Sequence, residues 1–431
     1  MHSVKVVVSK RSKDPGLHLC PGQNLYTGVK NFERHFKSLN SLEEDLLNLA
    51  SGIYAADLAC KRLDREQNIR TIDFYIDVIN YHIFERIKDK LIYALMLISR
   101  DNWNIVFRPI KGKTINKIEW VKDKGIVLLF SGGMDSMCAA SKFLNNNQEL
   151  VLVSHNSQRN RIVDNCQNEV HTALENYYCK KVNHIHIKVY GRKNGKYEFP
   201  EDRENTQRTR SFLFLTIAAL VTRRKGFERI VYMAENGQFA IHLPLNQARI
   251  GPFSTHTADP EFIIKIEEIF KIILNNECLE ISNPFLYLTK AEVFGLLPEK
   301  LKSEVGKSAS CWKISRTPGN KHCGFCIPCI SRRIALEYHN IKINEYARDL
   351  FNEDILKKPS DDDGKRNLID YLEFISNFAN VNNTNKNKIM IEYPELFNQY
   401  LNTDKAIELY KRVSKQSFEV FQKYKNIKNI I

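Results

Sequence analysis

The string Ser131-Gly132-Gly133-Met134-Asp135-Ser136 constrains the fold more than any other stretch of this chain. It follows the apolar run Ile126-Val127-Leu128-Leu129-Phe130 and leads straight into Met137-Cys138-Ala139-Ala140. A buried strand, a small-residue loop and the first turn of a helix are therefore predicted in direct succession. Such a turn aims backbone N–H groups and the positive end of a helix at one point, where a phosphate can sit. Gly132 and Gly133 let the chain approach an anion closely, and Ser131 and Ser136 add hydroxyl donors. Asp135 would repel a phosphate unless a cation lay between them, which points to a Mg²⁺-bound pyrophosphate. An ordinary turn capped by Ser131 or Asp135 would account for the glycines alone, but it leaves the rest of the string unexplained.

From Gly125 onward, strands predicted at 126–130, 149–154, 184–189 and 229–234 alternate with helical stretches. That alternation predicts an α/β domain with a Rossmann-like parallel sheet covered on both faces and a ligand at the carboxyl ends of its strands. Val153 and Ser154 end the second strand, where they are placed beside the adenine of a nucleotide. Glu235 and Asn236 follow the strand Arg229–Met233 and are assigned to substrate binding. Arg208 and Arg210 precede the apolar helix Phe212–Val221. They are either solvated first-turn charges or phosphate ligands; cations are disfavoured at a helix N-terminus, and that misfit, with the family resemblance at Arg210 given below, favours phosphate. Thr289 and Glu292 form a capping-box pattern around Lys290, which is either merely exposed or a substrate contact. His171, His184 and His186 receive no role, because core and surface histidines outnumber catalytic ones.

Cys311, Cys323, Cys326 and Cys329 read C-x11-C-x2-C-x2-C. Two-residue spacings let thiolates converge on one tetrahedral ion, and the longer loop returns the fourth. Gly324 supplies the small residue of a tight knuckle and Pro328 stiffens its last step. A disulfide framework and an iron–sulfur cluster are the competing readings; structural Zn²⁺ is preferred to both. Four sulfur ligands leave no open coordination site, so the metal would act as a clamp. The remaining six cysteines are scattered, as reduced core cysteines are.

The chain has 431 residues, enough for two or three domains. Residues 1–118 read as an α+β N-terminal domain, 119–335 as the nucleotide domain with the knuckle, and 336–431 as a helical C-terminal region. Ser41-Leu42-Glu43-Glu44 is a capping-box signal for a helix through Leu58, and Arg70–Val78 alternates like a half-buried strand. Trp103, Ile105 and Phe107 suggest another strand, and Lys111-Gly112-Lys113-Thr114 a linker. Loops are expected at Ser360–Gly364 and Asn382–Lys386, with an amphipathic helix over Ala406–Tyr424. No apolar run is long enough to span a bilayer and the start lacks the plan of a signal peptide, so a cytoplasmic protein without membrane contact is expected. The formal charge of +14 suits phosphate handling and offers weak support for a nucleic-acid partner.

The Ser131–Ser136 string resembles the PP-loop of the ATP pyrophosphatases. Together with the ending Cys323-Gly324-Phe325-Cys326-Ile327-Pro328-Cys329-Ile330-Ser331-Arg332, it is similar to the QueC family of 7-cyano-7-deazaguanine synthases. Softer matches lie at Arg210-Ser211-Phe212-Leu213, Asp259-Pro260-Glu261-Phe262-Ile263 and Leu288-Thr289-Lys290-Ala291-Glu292. The resemblance covers roughly residues 120 to 335. The chain departs from it at Ala234-Glu235-Asn236-Gly237 and His155-Asn156-Ser157-Gln158, and in about a hundred extra residues on each side. Its length, the segment 208–215 and Ser254-Thr255-His256-Thr257 look more like the long QueC-like proteins of bacterial anti-phage systems, such as QatC of the Qat system and its CBASS-associated relatives.

What the resemblance implies is an ATP-dependent carbon–nitrogen ligase. A carboxylate, most simply 7-carboxy-7-deazaguanine, would attack the α-phosphate of Mg²⁺·ATP, releasing pyrophosphate, and an amine would then displace AMP. Asp135, Ser136 and Arg210 are the expected catalytic residues, and Ser131, Gly132, Gly133, Val153, Ser154 and Arg208 complete the ATP contacts. The expected amine belongs to a partner protein encoded in the same defence operon, with ammonia, giving free 7-cyano-7-deazaguanine, as the alternative. A tRNA-modifying PP-loop enzyme and a non-catalytic zinc-containing binding protein are the rival readings.

Overall fold

Val6, Val7 and Val8 are buried at the end of β1 (Ser3–Val8), the strand around which the N-terminal region is built. The computed structural model describes residues 3–11, 14–62, 69–115, 123–156, 161–204, 206–231, 234–245, 258–317, 319, 322–343, 346–382 and 384–430. After β1 come β2 (Leu17–Leu19), β3 (Leu25–Tyr26), α1 (Val29–His35), α2 (Ser41–Ala59), β4 (Thr71–Val78), α3 (Tyr81–Ser99) and β5 (Asn102–Pro109). The expected strands at 70–78 and 103–107 are β4 and β5, and α2 carries the expected capping box one residue early, on Asn40 with Glu43.

The sheet, however, has the order β2-β1-β4-β5 with every pairing parallel. The α+β expectation for this segment is therefore corrected to α/β. Parallel neighbours need a crossover, and α2 and α3, each of 19 residues, supply it.

The central region follows: β6 (Asp123–Leu129), α4 (Met134–Asn145), β7 (Leu150–Asn156), α5 (Arg161–Tyr178), β8 (Asn183–Lys188), the short β9 (Tyr190–Gly191), which pairs with β3, α6 (Arg210–Lys225) and β10 (Phe227–Val231). Next come α7 (Gly237–Ile241), α8 (Pro260–Leu274), β11 (Glu280–Ser282), α9 (Lys290–Gly295), α10 (Glu299–Lys302) and α11 (Ile327–Tyr338). The five strands run in the order β11-β10-β6-β7-β8, all parallel. Chain order reverses between β6 and β10, so the crevice beyond their carboxyl ends is the topological switch point where ligands bind in such sheets. Met233 of the expected fourth strand lies outside the described residues, as do Ser157, Ser254–Thr257, Asn383 and the 118/119 boundary.

The N-terminal region grips the start of α6. Glu43 on α2 receives both Arg223 and Arg224 from the other end of that helix, while Asp57 accepts from the backbone N–H (3.0 Å) and hydroxyl (3.1 Å) of Thr209. Asp57 is in turn paired with Arg70, which also holds Asp101. Beyond α11, the helices α12 (Asp363–Ala379), α13 (Lys386–Glu392), α14 (Thr403–Phe421) and α15 (Lys425–Lys428) make the expected helical end. The apolar stripe of α14, including Leu409, Tyr410 and Phe421, shares a core with α11, α12 and Ile241 of α7. Among the described residues no helix is long and apolar enough to cross a membrane.

Candidate active site and metal centre

The loop between β6 and α4 is shaped as its sequence predicts. Gly132 has φ +75°, and a Cβ there would come within 2.7 Å of the Gln167 backbone nitrogen on α5, so only glycine fits. Ser131 Oγ accepts from the Gly133 N–H (3.2 Å), and Ser136 Oγ donates to the Gly133 carbonyl (3.0 Å). The two hydroxyls stand 3.2 Å apart. The free N–H groups at the start of α4 thus sit in a small hydroxyl-rimmed cup.

Asp135, in the first turn of α4, points across the switch point. Its Oδ1 accepts from Lys290 Nζ (2.9 Å) and its Oδ2 from Asn236 Nδ2 (2.7 Å) and the Asn236 N–H (3.3 Å). All three side chains are buried. The structure therefore brings Ser131, Gly132, Gly133, Asp135, Ser136, Glu235, Asn236 and Lys290 together. Lys290 sits at the first position of α9, fixed by the Thr289–Glu292 capping box. It is the cation the Asp135 argument called for, so that carboxylate by itself gives no indication of Mg²⁺.

Arg210 lies at the carboxyl end of β7. Its guanidinium stacks on Phe214 at 4.6 Å, and its charge, after burial, helps hold His155 down at about 3. Arg210 Nε, Asn156 Oδ1, Gln167 Oε1 and Asn236 Oδ1 are buried polar atoms with no hydrogen-bond partner among the described residues. Buried polar atoms are almost always paired, and these four flank the cup and the ends of β7 and β10. That is the pattern of a cleft built to receive a polar ligand.

Three expected ATP contacts have their side chains placed elsewhere. Arg208 is 1% exposed and donates to the Ser99 carbonyl at 2.8 Å, inside the buried charge cluster of the N-terminal region. Burial and the neighbouring Arg62 disfavour its charge there, and Asp101 and Asp57 only partly offset them. Arg208→Met is accordingly expected to lower unfolding stability by about 1–3 kcal/mol while leaving the KM for ATP unchanged, measured by urea titration beside steady-state kinetics. Ser154 is also buried, its hydroxyl bonded to the Phe130 carbonyl (2.5 Å) and to His184 Nε2 (2.8 Å). The Val153 side chain is within the core. Neither side chain faces the cleft.

The four cysteines converge as expected. Their sulfurs all lie within 4.8 Å of one another, with separations of 3.9, 3.9 and 3.4 Å for Cys311–Cys326, Cys323–Cys329 and Cys326–Cys329. A tetrahedral Zn²⁺ with about 2.3 Å bonds sets its sulfurs about 3.8 Å apart, so the donors fit one zinc ion. A multi-iron cluster would hold them further apart, and a disulfide closer. Backbone N–H groups of Lys313 and Cys323 point at Cys311 Sγ (3.2 and 3.4 Å), and that of Cys326 at Cys323 Sγ (3.4 Å), the outer-shell support thiolates need. Gly324 is required: at φ +87° its Cβ would sit 2.0 Å from the Arg348 carbonyl.

The knuckle is wired to the loop. The Ala309 N–H donates to the Gly132 carbonyl at 3.1 Å, and the Ser310 N–H to His322 Nε2 at 3.1 Å, one residue before Cys323. Arg332, fully buried on α11, holds Ser308 Oγ (2.9 Å) and the Val305 carbonyl (2.8 Å). Sequence reasoning quoted Arg332 within the cysteine motif but gave it no role. Nothing local marks Ala309, Gln167 or Asn283, whose side chain fixes the Glu235 carbonyl at 2.8 Å.

A doubly wound sheet with this loop at its switch point and a four-thiolate knuckle docked against it defines a PP-loop enzyme. A family model described as queuosine biosynthesis protein QueC matches residues 125–340, half of the chain, and the chain belongs to the QueC family. It is 23% identical over 227 residues to 7-cyano-7-deazaguanine synthase 1 of Colwellia psychrerythraea, covering 50% of this chain and 94% of that protein. It is also 23% identical to the 7-cyano-7-deazaguanine synthases of Sulfolobus acidocaldarius and Saccharolobus solfataricus, over 247 and 245 residues. Those matches cover 53% of this chain but only 49% and 48% of the archaeal proteins, so the chain spans about half their length.

Proposed function

We propose that the protein uses ATP to activate a carboxylate, most simply that of 7-carboxy-7-deazaguanine, and passes the acyl group to an amine. The observation that carries this reading is the buried Asp135–Lys290–Asn236 constellation facing the Ser131–Ser136 cup across the switch point. Pyrophosphate would occupy the cup, held by the N–H groups of the α4 first turn and the hydroxyls of Ser131 and Ser136. Lys290, positioned by its ion pair with Asp135, would face the negative charge that develops as the α-phosphate is attacked, and such preorganised charge is the largest catalytic resource of a dry cleft. Arg210, with an unused Nε, would complete the phosphate contacts. Mg²⁺ would arrive on the ATP phosphates. Both Asp135 oxygens are already engaged, so we assign that residue to orienting Lys290. Zinc, held by the four cysteines, would fix the knuckle that braces Gly132.

A free carboxylate resists amines, whereas a mixed anhydride with AMP does not, which gives adenylation its purpose. We further propose a partner protein as the amine donor and a role in anti-phage defence. The support is the length of the flanking regions, which the 227-residue match to nearly the whole Colwellia enzyme leaves outside. Ammonia, yielding the nitrile base, is the second reading, favoured by the names of all three relatives. The purified protein should convert ATP to AMP and pyrophosphate only when 7-carboxy-7-deazaguanine is present, read by nucleotide chromatography. No AMP above background would remove the substrate assignment. Intact-mass spectrometry of neighbouring gene products, coexpressed with the protein, separates the acceptors.

A further inference from the structure

Three charged side chains meet at the switch point: Asp135 from the first turn of α4, Lys290 from the first turn of α9, and Glu235 from the segment just before α7. Asp135 and Lys290 satisfy one another. Glu235 is left over: its carboxylate makes no hydrogen bond or ion pair with any described residue, although its backbone carbonyl is pinned by Asn283. A half-buried carboxylate kept unpaired beside a like charge costs stability.

We infer that Glu235 is the general base of the acyl-transfer step, an inference that rests on the function proposed above. The amine nitrogen forms a C–N bond to the adenylate carbonyl carbon. The bond from that carbon to the phosphate oxygen breaks, AMP leaves with the electron pair, and the surplus N–H proton passes to a Glu235 oxygen. Asp135 is unsuited to this task because both its oxygens are already accepting hydrogen bonds. His155 is unsuited because its Nε2 is bonded to the Val189 carbonyl and its buried ring is a weak base. Glu235 is a stronger base than an ordinary carboxylate. Burial first, and the Asp135 charge second, raise it to about 7, with Lys290 pulling the other way. A base poised near the working pH is the efficient choice.

The test uses the full zinc-bound chain with 7-carboxy-7-deazaguanine, ATP and either ammonium or hydroxylamine. Carboxylate-dependent ATP–pyrophosphate exchange reports adenylation, and amide or hydroxamate formation reports transfer. Glu235→Gln is expected to lower transfer at pH 8 by about 100-fold or more relative to exchange. The wild-type-to-variant ratio cancels the amine's own ionisation; it should rise with pH through about 7 and then level, because a protonated Glu235 cannot accept a proton. Glu235→Asp should restore part of the transfer rate, and zinc content with thermal melting verifies that both variants fold. Loss of exchange together with transfer, or a changed Mg²⁺ dependence, would make Glu235 an ATP or metal contact and overturn the assignment. A pH-independent ratio would overturn it too. Absence of exchange in the wild-type protein would instead remove the underlying functional reading, and the two failures are thereby told apart.

Discussion

Cys323→Ser is expected to yield an insoluble or protease-sensitive protein that no longer retains zinc, with cleavage beginning in residues 305–335. Among the described residues between Ser303–Lys307 and α11, the regular structure is one short 3₁₀ turn, Ile314–Arg316. Structural zinc contributes on the order of 10 kcal/mol of apparent binding energy, comparable to the whole stability of a typical domain, about 5–15 kcal/mol. The damage should travel. Ala309 is hydrogen-bonded to Gly132 and Ser310 to His322, so a melted knuckle releases one wall of the pyrophosphate cup. Ser136→Ala is the contrasting variant: it should fold, retain one zinc per chain by elemental analysis, and release no pyrophosphate. A soluble, zinc-replete but inactive Cys323→Ser protein would mean that the metal centre takes part in the chemistry, contrary to the clamp assigned here.

Lys290→Met should be the most damaging single change in the cleft. It strands the Asp135 carboxylate, buried and, among the described residues, held only by Asn236, beside Glu235. Removing one partner of a buried pair typically costs about 3–5 kcal/mol, so a clear fall in the melting temperature is expected. Pyrophosphate release should fall by about 10²–10³-fold, the usual effect of deleting one preorganised charge-stabilising donor. Adding Asp135→Asn removes the stranded charge, so the double variant should recover most of the lost stability and none of the activity. That non-additivity in stability, measured by urea titration in a double-mutant cycle, distinguishes charge pairing from simple packing. A Lys290→Met protein with unchanged melting temperature and turnover would refute the role given to this pair.

The chemistry written in consecutive residues was legible in advance. A buried strand, two glycines and a helix start fix the cup because sterics and orphan N–H groups operate over a few residues. The cysteine spacing 323–326–329 was legible for the same reason: each step is one turn of chain, short enough to dictate where the next sulfur falls. Strand and helix alternation announced the parallel sheet, and with it the crevice that holds Glu235 and Asn236.

What the tertiary structure alone decided were the partners of charges and hydroxyls. Lys290 meets Asp135 across 155 positions of sequence, and no local pattern distinguishes it from an exposed first-turn lysine. Arg208 and Arg210 look equivalent in the chain. The first donates to the Ser99 carbonyl inside the buried charge cluster with Asp57 and Asp101, while the second stacks on Phe214 beside His155 at the end of β7. Ser154 sits at the right strand end, yet His184 and the Phe130 carbonyl consume its hydroxyl. Backbone conformation follows from near neighbours and apolar periodicity. The use made of a polar group depends on which distant groups are buried with it, because an unpaired charge or hydroxyl inside a protein costs more than local preference can offset.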